Sequence, residues 1–407
     1  MVEQPAFGRR LREMRRERGL SQAAVAGDNM STGYLSRLES GARQPTARAV
    51  AYLAERLQVD PSEFDEPSVG SVAEALALAT SSDGGDEALR KLSAALEQSP
   101  AVDPTLRWQV LWLLAGAAAG HGERVEEARL REELVRTAEE LMIPELQCRA
   151  RAQLARCLRS LGEIPRALEA AQEASRLAHD HKLSVQDAGA ALLTLVSVEA
   201  EAGRLYDARA HADDLLALVA ERTDTLRTDT LRAEALWAAA TVSFRQGDSA
   251  TARQRLEQAI EEFDSRLDLV LWMRLRLAAA SLYLQVSPRQ LDECGRRLDE
   301  AEPALALVGT PVLRQEMLTL RVHLAFEEGR YEDARAAHDE LVLDELRLTY
   351  RDRIRLDMLH SRLLIQEGRT QQGSTQLREL AERAQQTSNI DLAAEIWRTL
   401  AETPERQ

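Results

Sequence analysis

The segment YLSRLESGARQP, which begins at Tyr34, places residue types that hydrogen-bond to DNA on a predicted helix and on the turn after it. Arginine is the side chain that most often reads guanine in the major groove, and serine hydroxyls bond to several bases. We therefore predict that Ser36 and Arg37 reach base edges and that Arg43, beyond the glycine turn, contacts a phosphate. Gln22, at the start of the preceding predicted helix, is a second candidate phosphate contact.

Caps and hydrophobic spacing predict the helices that position these side chains. The first helix runs through FGRRLREMRRERG, with an apolar stripe at helical spacing and Gly19 as its C-cap. A short second helix follows Ser21, a third begins after Ser31 and ends at Gly41, and a fourth is capped by Thr46. The outward residues of the third predicted helix are Thr32, Gly33, Ser36 and Arg37.

The charge of the chain is divided between a short basic part and a long acidic part. The 407 residues carry a formal net charge of -15, yet residues 1–60 contain ten arginines against seven acidic residues, a net charge of +3. The remainder therefore carries -18. A basic module is the electrostatic pattern of nucleic-acid binding. The segment DPSEFDEPSVGS, with two prolines and a glycine, marks the predicted boundary between the two parts.

The segment LSQAAVAGDNMSTGYLSRLESGARQPTARAVAYLAERLQV resembles the xenobiotic-response-element (Cro/C1-type) helix-turn-helix family in its LSQ entry, its mid-helix alanine and its YLSRLESGxRxP exit. The resemblance covers residues 6–64 and implies a five-helix DNA-binding domain, here residues 1–65, whose third helix is the recognition helix. Double-stranded DNA is the implied partner. The implied base-reading positions are Thr32, Gly33, Ser36 and Arg37, and the implied backbone contacts are Gln22 and Arg43.

The rest of the chain, residues 66–407, repeats a pattern of alanine- and leucine-rich helical stretches separated by turns of the form Gly-x-hydrophobic-x-x-Ala. The clearest turns are at Gly162, Gly203, Gly247, Gly329 and Gly368, with weaker copies near Gly84, near Gly122 and at Ser287. About eight helical hairpins, each burying one face against its neighbours, predict an all-α right-handed solenoid. The series resembles a stretched form of the tetratricopeptide repeat (TPR).

The first helix of each hairpin is expected to build the concave face of this solenoid, and arginines and aromatic residues dominate its predicted lining. Arg149, Arg156 and Arg159 together predict a site for a carboxylate or phosphate, with the aromatic residues holding an apolar portion of the ligand. The alternative is that these side chains are ordinary packing or solvated residues. The predicted lining is Gln109, Trp112, Arg149, Arg156, Arg159, Trp237, Phe244, Arg274, His323, Phe326, Arg355, Met358 and Arg362.

The order of the two domains resembles that of the RRNPP group of peptide-sensing transcription regulators. That resemblance implies a homodimer whose solenoid binds a ligand and repositions its DNA-binding domains. The group commonly clamps a peptide backbone with asparagines, and this chain has only Asn29 and Asn389. The ligand class therefore stays open between a peptide, a small molecule and a protein. The alternative function is a TPR interaction scaffold with a helix-turn-helix domain that does not read DNA.

No other motif predicts chemistry. GGDE, which begins at Gly84, lies in a predicted turn between helices and lacks the surrounding sheet of a nucleotide cyclase. HDH, which begins at His179, lacks a third metal ligand at a suitable spacing. Three scattered cysteines and no secretory signal predict a cytoplasmic protein, and the preference for arginine over lysine together with the frequent alanine is typical of a bacterial genome of high GC content. We expect no cofactor, no metal, no membrane span and no enzymatic activity.

Overall fold

The computed structural model describes residues 4, 6–27, 29–64, 69–81, 85–99, 102–220 and 226–402, and the described residues form helices and turns with no strand. The predicted all-α class is confirmed. The chain divides into two compact units, residues 1–110 and residues 111–407. The predicted domain boundary after residue 65 and the start of the GGDE motif at residue 84 both lie outside the described residues, so the boundary stays a prediction.

The N-terminal module consists of four α-helices and a 3-10 helix. Leu11, Leu35, Leu38 and Leu53 are fully buried at its centre because the helical spacing of their segments turns one apolar face of each helix inward. Serine or threonine side chains cap α2, α3 and α4, as the sequence predicts. The elements are α1 (Ala6–Glu17), α2 (Gln22–Ala26), α3 (Thr32–Glu39), α4 (Ala47–Leu57) and the 3-10 helix (Pro61–Phe64).

The helices after this module form hairpins of successive neighbours. They are α5 (Val69–Ser81), α6 (Asp86–Gln98), α7 (Pro104–His121), α8 (Arg124–Leu141), α9 (Pro144–Ser160), α10 (Ile164–Asp180), α11 (Val185–Glu201), α12 (Leu205–Ala220), α13 (Leu226–Arg245), α14 (Ser249–Glu262), α15 (Leu269–Gln285), α16 (Leu291–Val308), α17 (Pro311–Glu327), α18 (Tyr331–Leu341), α19 (Tyr350–Gln366), α20 (Thr370–Gln386) and α21 (Ile390–Ala401). Each odd-numbered helix from α9 to α17 contacts both the following helix and the next odd-numbered one. This is the packing of an α-solenoid.

The predicted turn glycines lie between the two helices of a hairpin. At Gly162, φ is +80°, and the Glu163 N–H donates to the Leu158 carbonyl (2.9 Å), which closes the end of α9. Five residues after the glycine, a small residue lets the two helices of the hairpin approach closely. In the last hairpin this residue is Gly373, where an added Cβ would lie 2.4 Å from the Ser361 carbonyl oxygen. In the earlier hairpins it is the fully buried Ala167, Ala208, Ala252 or Ala334.

The solenoid closes on itself within the second unit. The Asn389 side-chain amide donates to the Gly162 carbonyl (3.0 Å), and the Arg347 guanidinium donates to the His121 carbonyl (2.9 Å), although each pair is more than two hundred residues apart in the chain. The Tyr350 ring lies against the Gly162 turn, where an added Cβ would approach its ring atoms to 2.6 Å. The α7–α8 and α9–α10 turns therefore contact the C-terminal hairpins directly.

Candidate DNA-binding surface and solenoid cavity

The predicted DNA-reading residues lie on an exposed stripe of the N-terminal module. Thr32, Gly33, Ser36 and Arg37 are exposed on α3, whereas Leu35 and Leu38 of the same helix are fully buried. The Arg37 Nε donates to the Gly33 carbonyl (3.2 Å), so the side chain lies along the helix surface. The outer face of α3 thus presents small polar groups and one guanidinium to solvent.

A buried carboxylate fixes α3 against the two preceding helices. The side chain of Glu39 at the end of α3 is about 1% exposed and accepts hydrogen bonds from Arg15 (2.6 and 3.0 Å) and from the Gln22 side-chain amide (2.8 Å). Burial opposes ionisation of Glu39, but these hydrogen bonds outweigh it and lower the pKa of its carboxyl group. Gln22 therefore has an internal partner in addition to its predicted place at the DNA backbone.

Arg43, the second predicted phosphate contact, is exposed beyond the end of α3. Its guanidinium carbon lies 5.0 Å from the centroid of the Tyr34 ring, within the range of a cation–π contact. Its main-chain carbonyl accepts a hydrogen bond from the Gln4 side chain (2.7 Å), which ties the loop after α3 to the residues before α1. The predicted DNA contacts on α3 and the predicted contact Arg43 thus lie on consecutive parts of the chain, and the Arg43 side chain packs against α3 through Tyr34.

The second unit contains a partly open cavity of about 1410 Å³. Its walls are built chiefly by the odd-numbered helices from α9 to α19, the first helices of their hairpins, and by α21. This volume exceeds the roughly 300–1,000 Å³ of pockets that bind drug-sized ligands. Ten of the predicted lining residues border the cavity, and their role in binding stays a prediction: Arg156, Arg159, Trp237, Phe244, Arg274, His323, Phe326, Arg355, Met358 and Arg362.

Gln109, Trp112 and Arg149 are not among the residues that line this cavity, and their place in a binding site stays a prediction. Arg149 precedes Arg156 by seven residues on α9, which is about 10 Å along the helix axis. Its guanidinium forms a two-point hydrogen bond with Asp187 (2.6 and 3.1 Å) near the start of α11. The indole of Trp112 lies against the Arg131 guanidinium, 5.5 Å from centroid to carbon.

Five charged side chains beside the cavity link the early helices of the solenoid to its C-terminal helices. We call this group the clasp: Arg159, Glu201, Arg245, Arg351 and Asp391. Glu201 accepts a hydrogen bond from Arg159 (2.8 Å) and lies 3.8 Å from Arg351 and 3.9 Å from Arg245. Asp391 binds Arg351 and lies 3.2 Å from Arg245. Burial disfavours the charge on Glu201, but the three guanidinium groups outweigh it and lower the pKa of that carboxyl group.

Aromatic and charged groups share the remaining wall. Arg355 pairs with Glu395 (2.8 Å) and Arg362 pairs with Glu327 (2.6 Å), so these two guanidinium groups have internal partners. The Arg362 guanidinium also lies 4.2 Å from the centroid of the Phe326 ring. Burial, reinforced by the positive charges of Arg362 and Arg355, lowers the pKa of His323 to about 3. The histidine is therefore neutral at physiological pH and adds no charge to the cavity.

Other candidate chemistry finds no support among the described residues. They contain no group of three or more potential metal ligands, and the histidines of HDH are exposed on the surface. Burial raises the pKa of each of the three cysteine thiols to about 12, so they are protonated and weakly nucleophilic. Within the part of the chain that the structure describes, no helix has both the length and the apolar character needed to cross a membrane.

Comparison with known proteins agrees with this two-part architecture. Residues 6–66 match the family model described as a helix-turn-helix domain. The chain shares its fold with a Rap protein complexed with Competence and Sporulation Factor, at a TM-score of 0.55, 11% identity and 98% coverage of both chains. It also shares its fold with the Rap conjugation gene regulator of the plasmid pLS20 in complex with a Phr peptide, at a TM-score of 0.54, 12% identity and 100% coverage of both chains.

A sequence comparison with curated proteins found no match. At 11–12% identity, the two structural likenesses establish the fold and nothing finer. The class of protein is thus an N-terminal helix-turn-helix domain followed by a TPR-like helical solenoid, as the sequence predicts.

Proposed function

We propose that the protein is a sequence-specific DNA-binding transcriptional regulator whose solenoid cavity binds a ligand. The exposed stripe of α3 carries this proposal, because Thr32, Ser36 and Arg37 face outward on a helix that the Glu39 hydrogen bonds hold in place. A fixed helix with small polar residues and an arginine on its outer face suits the major groove.

The regulator acts as a homodimer in this proposal. Helix-turn-helix dimers read two half-sites about one DNA turn apart, so the preferred site should be an inverted repeat. The protein then works in the bacterial cytoplasm, where the chromosome lies, and it performs no catalysis. Light scattering that shows a monomer both alone and on DNA would contradict the dimer.

The cavity supplies the sensing part of the proposal. Its 1410 Å³ accommodate a ligand larger than a drug-sized molecule. The Rap structures that share this fold were solved with Competence and Sporulation Factor and with a Phr peptide. A ligand in this cavity is therefore the signal that we propose for regulation of DNA binding.

Selection of genomic DNA fragments by the purified full-length protein tests whether the protein binds DNA sequence-specifically. Arg37→Ala removes the guanidinium on the outer face of α3, and Arg253→Ala removes an exposed guanidinium from α14 as a matched control. We expect the wild type and the control to enrich one palindromic motif. Arg37→Ala should lose about 1–3 kcal/mol at that motif and relax its sequence preference.

Equal recovery of fragments without a motif by all three proteins would refute sequence reading. That outcome would favour the interaction scaffold, in which the helix-turn-helix domain does not read DNA. A motif that Arg37→Ala enriches as well as the wild type does would contradict the assignment of α3.

A further inference from the structure

The charged residues that border the cavity fall into two groups, those with an internal partner and those without one. Arg159, Arg355 and Arg362 form ion pairs within the wall, at N–O distances of 2.6–2.8 Å. Arg156, Glu234, Arg274 and Glu316 also border the cavity, but they form no ion pair or side-chain hydrogen bond with any residue that the structure describes. We call these four side chains the open quartet.

The open quartet is distributed over four of the first helices, and α11 lies between the first two of them in the series. Arg156 lies on α9, Glu234 on α13, Arg274 on α15 and Glu316 on α17. Its members are close enough to influence each other's ionisation: Arg156 and Arg274 both favour the charged form of Glu234, and Arg274 favours that of Glu316. The quartet is thus one group of two guanidinium and two carboxyl side chains on the cavity wall.

Nearby arginines compensate only in part for the burial of the two carboxyl groups of the quartet. Burial raises the pKa of Glu234, and it raises the pKa of Glu316 to about 7, with the nearby arginines offsetting only part of the effect. Arg156 is exposed, and the other three side chains are half-buried. Side chains that have no ion pair within the protein can pair with an opposite charge that arrives with a ligand.

We propose that the cavity binds a dipolar ligand, whose anionic group lies between Arg156 and Arg274 and whose cationic group lies between Glu234 and Glu316. The inference rests on the proposed ligand site, and it assigns the chemistry that the site recognises. Trp237, one helical turn after Glu234, borders the same cavity and provides an apolar surface for the body of the ligand.

Two sources supply this chemistry: a short peptide with both termini free, and a single small zwitterion such as an amino acid. Both carry an ammonium and a carboxylate group. Arginine suits the carboxylate end because its planar fork forms two parallel hydrogen bonds.

Affinity selection on the full chain, without DNA, tests the proposal. The probes are a synthetic tetrapeptide library with free termini, the same library N-acetylated, the same library C-amidated, and a mixture of the twenty free amino acids; bound species are identified by mass spectrometry. We expect retention of free-terminus peptides or of amino acids, and at least a tenfold loss on acetylation or amidation. Whether peptides or free amino acids are retained shows which of the two is the ligand.

Paired variants assign the two ends. Glu234→Gln with Glu316→Gln should abolish the preference for a free amine over an acetylated one while the preference for a free carboxylate remains. Arg156→Gln with Arg274→Gln should do the reverse, and Arg253→Gln, on the outer surface of α14, should change neither preference.

Retention of none of the free-terminus probes, or equal retention of free and blocked libraries, would overturn the dipolar ligand. Variants that bind like the wild type would overturn it as well. Because the ligand selection contains no DNA, a negative result there does not contradict DNA recognition by α3. A negative result in the DNA selection likewise does not contradict a measured preference for a dipolar ligand. Circular dichroism of each variant confirms that a lost preference reflects the site and not unfolding.

Discussion

Replacement of Glu201 by glutamine tests whether the clasp holds the solenoid closed. The change keeps the size of the side chain but removes a negative charge that is about 5% exposed and faces three guanidinium groups. Removal of one member of a buried ion pair costs about 3–5 kcal/mol, because the remaining charges stay buried without compensation. Arg159 is 34% exposed, so solvent screens part of the effect, and we expect a loss of about 3 kcal/mol.

This loss corresponds to a decrease in Tm of about 6 °C, since 1 kcal/mol shifts the Tm of a large domain by about 2 °C. Thermal unfolding followed by circular dichroism measures it, and hydrogen exchange at the Gly162 and Asn389 turns reports closure directly. The matched control is Glu261→Gln, which removes an exposed carboxylate of α14. Equal Tm values and equal exchange for the two variants would refute the structural role of the clasp.

The stability that Glu201 contributes should decrease at acidic pH. The guanidinium groups lower the pKa of Glu201 in the folded state, whereas an unfolded glutamate titrates near pH 4.3. The stabilisation is therefore fully present above about pH 5 and decreases as the pH falls through the folded pKa. The difference in stability between wild type and Glu201→Gln should be constant from about pH 7 to pH 5 and should shrink below that range.

Three further predictions concern other parts of the chain. Gly162→Ala should destabilise the protein by about 1–3 kcal/mol more than Gly247→Ala in thermal unfolding, because both turns have positive φ but only the first places a Cβ against Tyr350; equal losses would exclude that contact. Glu39→Gln should lower the free energy of opening of α1–α3 by about 2 kcal/mol, which is measured as faster hydrogen exchange; unchanged protection would show that the carboxylate does not fix α3. Arg43→Ala should reduce the slope of log affinity against log salt by about 1 in DNA titrations, and an unchanged slope would exclude a phosphate contact.

Local signals made much of the fold predictable. The caps, the apolar stripes and the glycine turns act within a few residues of themselves, and the sequence displays all of them. Gly162, for example, is followed five residues later by Ala167, and the structure places the first in the turn and the second, fully buried, on the following helix. The first helices of the hairpins could be assigned to the concave face for the same reason.

The pairing of charges could not be predicted in this way. Arg156 and Arg159 lie one turn apart on α9 and look equivalent in the sequence, yet the first has no internal partner and the second binds Glu201, forty-two residues away. Which arginine finds a carboxylate depends on the curvature that brings distant helices together. The same curvature decides that Arg149 meets Asp187 and does not border the cavity.

Contact between the Gly162 and Asn389 turns also constrains how this protein can evolve. Open repeat proteins gain and lose repeats by duplication and deletion, because each repeat contacts only its immediate neighbours. Here the number of hairpins between these two turns determines whether they meet. An added or deleted hairpin would rotate one turn away from the other and separate Asn389 from its carbonyl partner. Natural variants of this solenoid should therefore differ by substitution along a fixed number of repeats and not by repeat number.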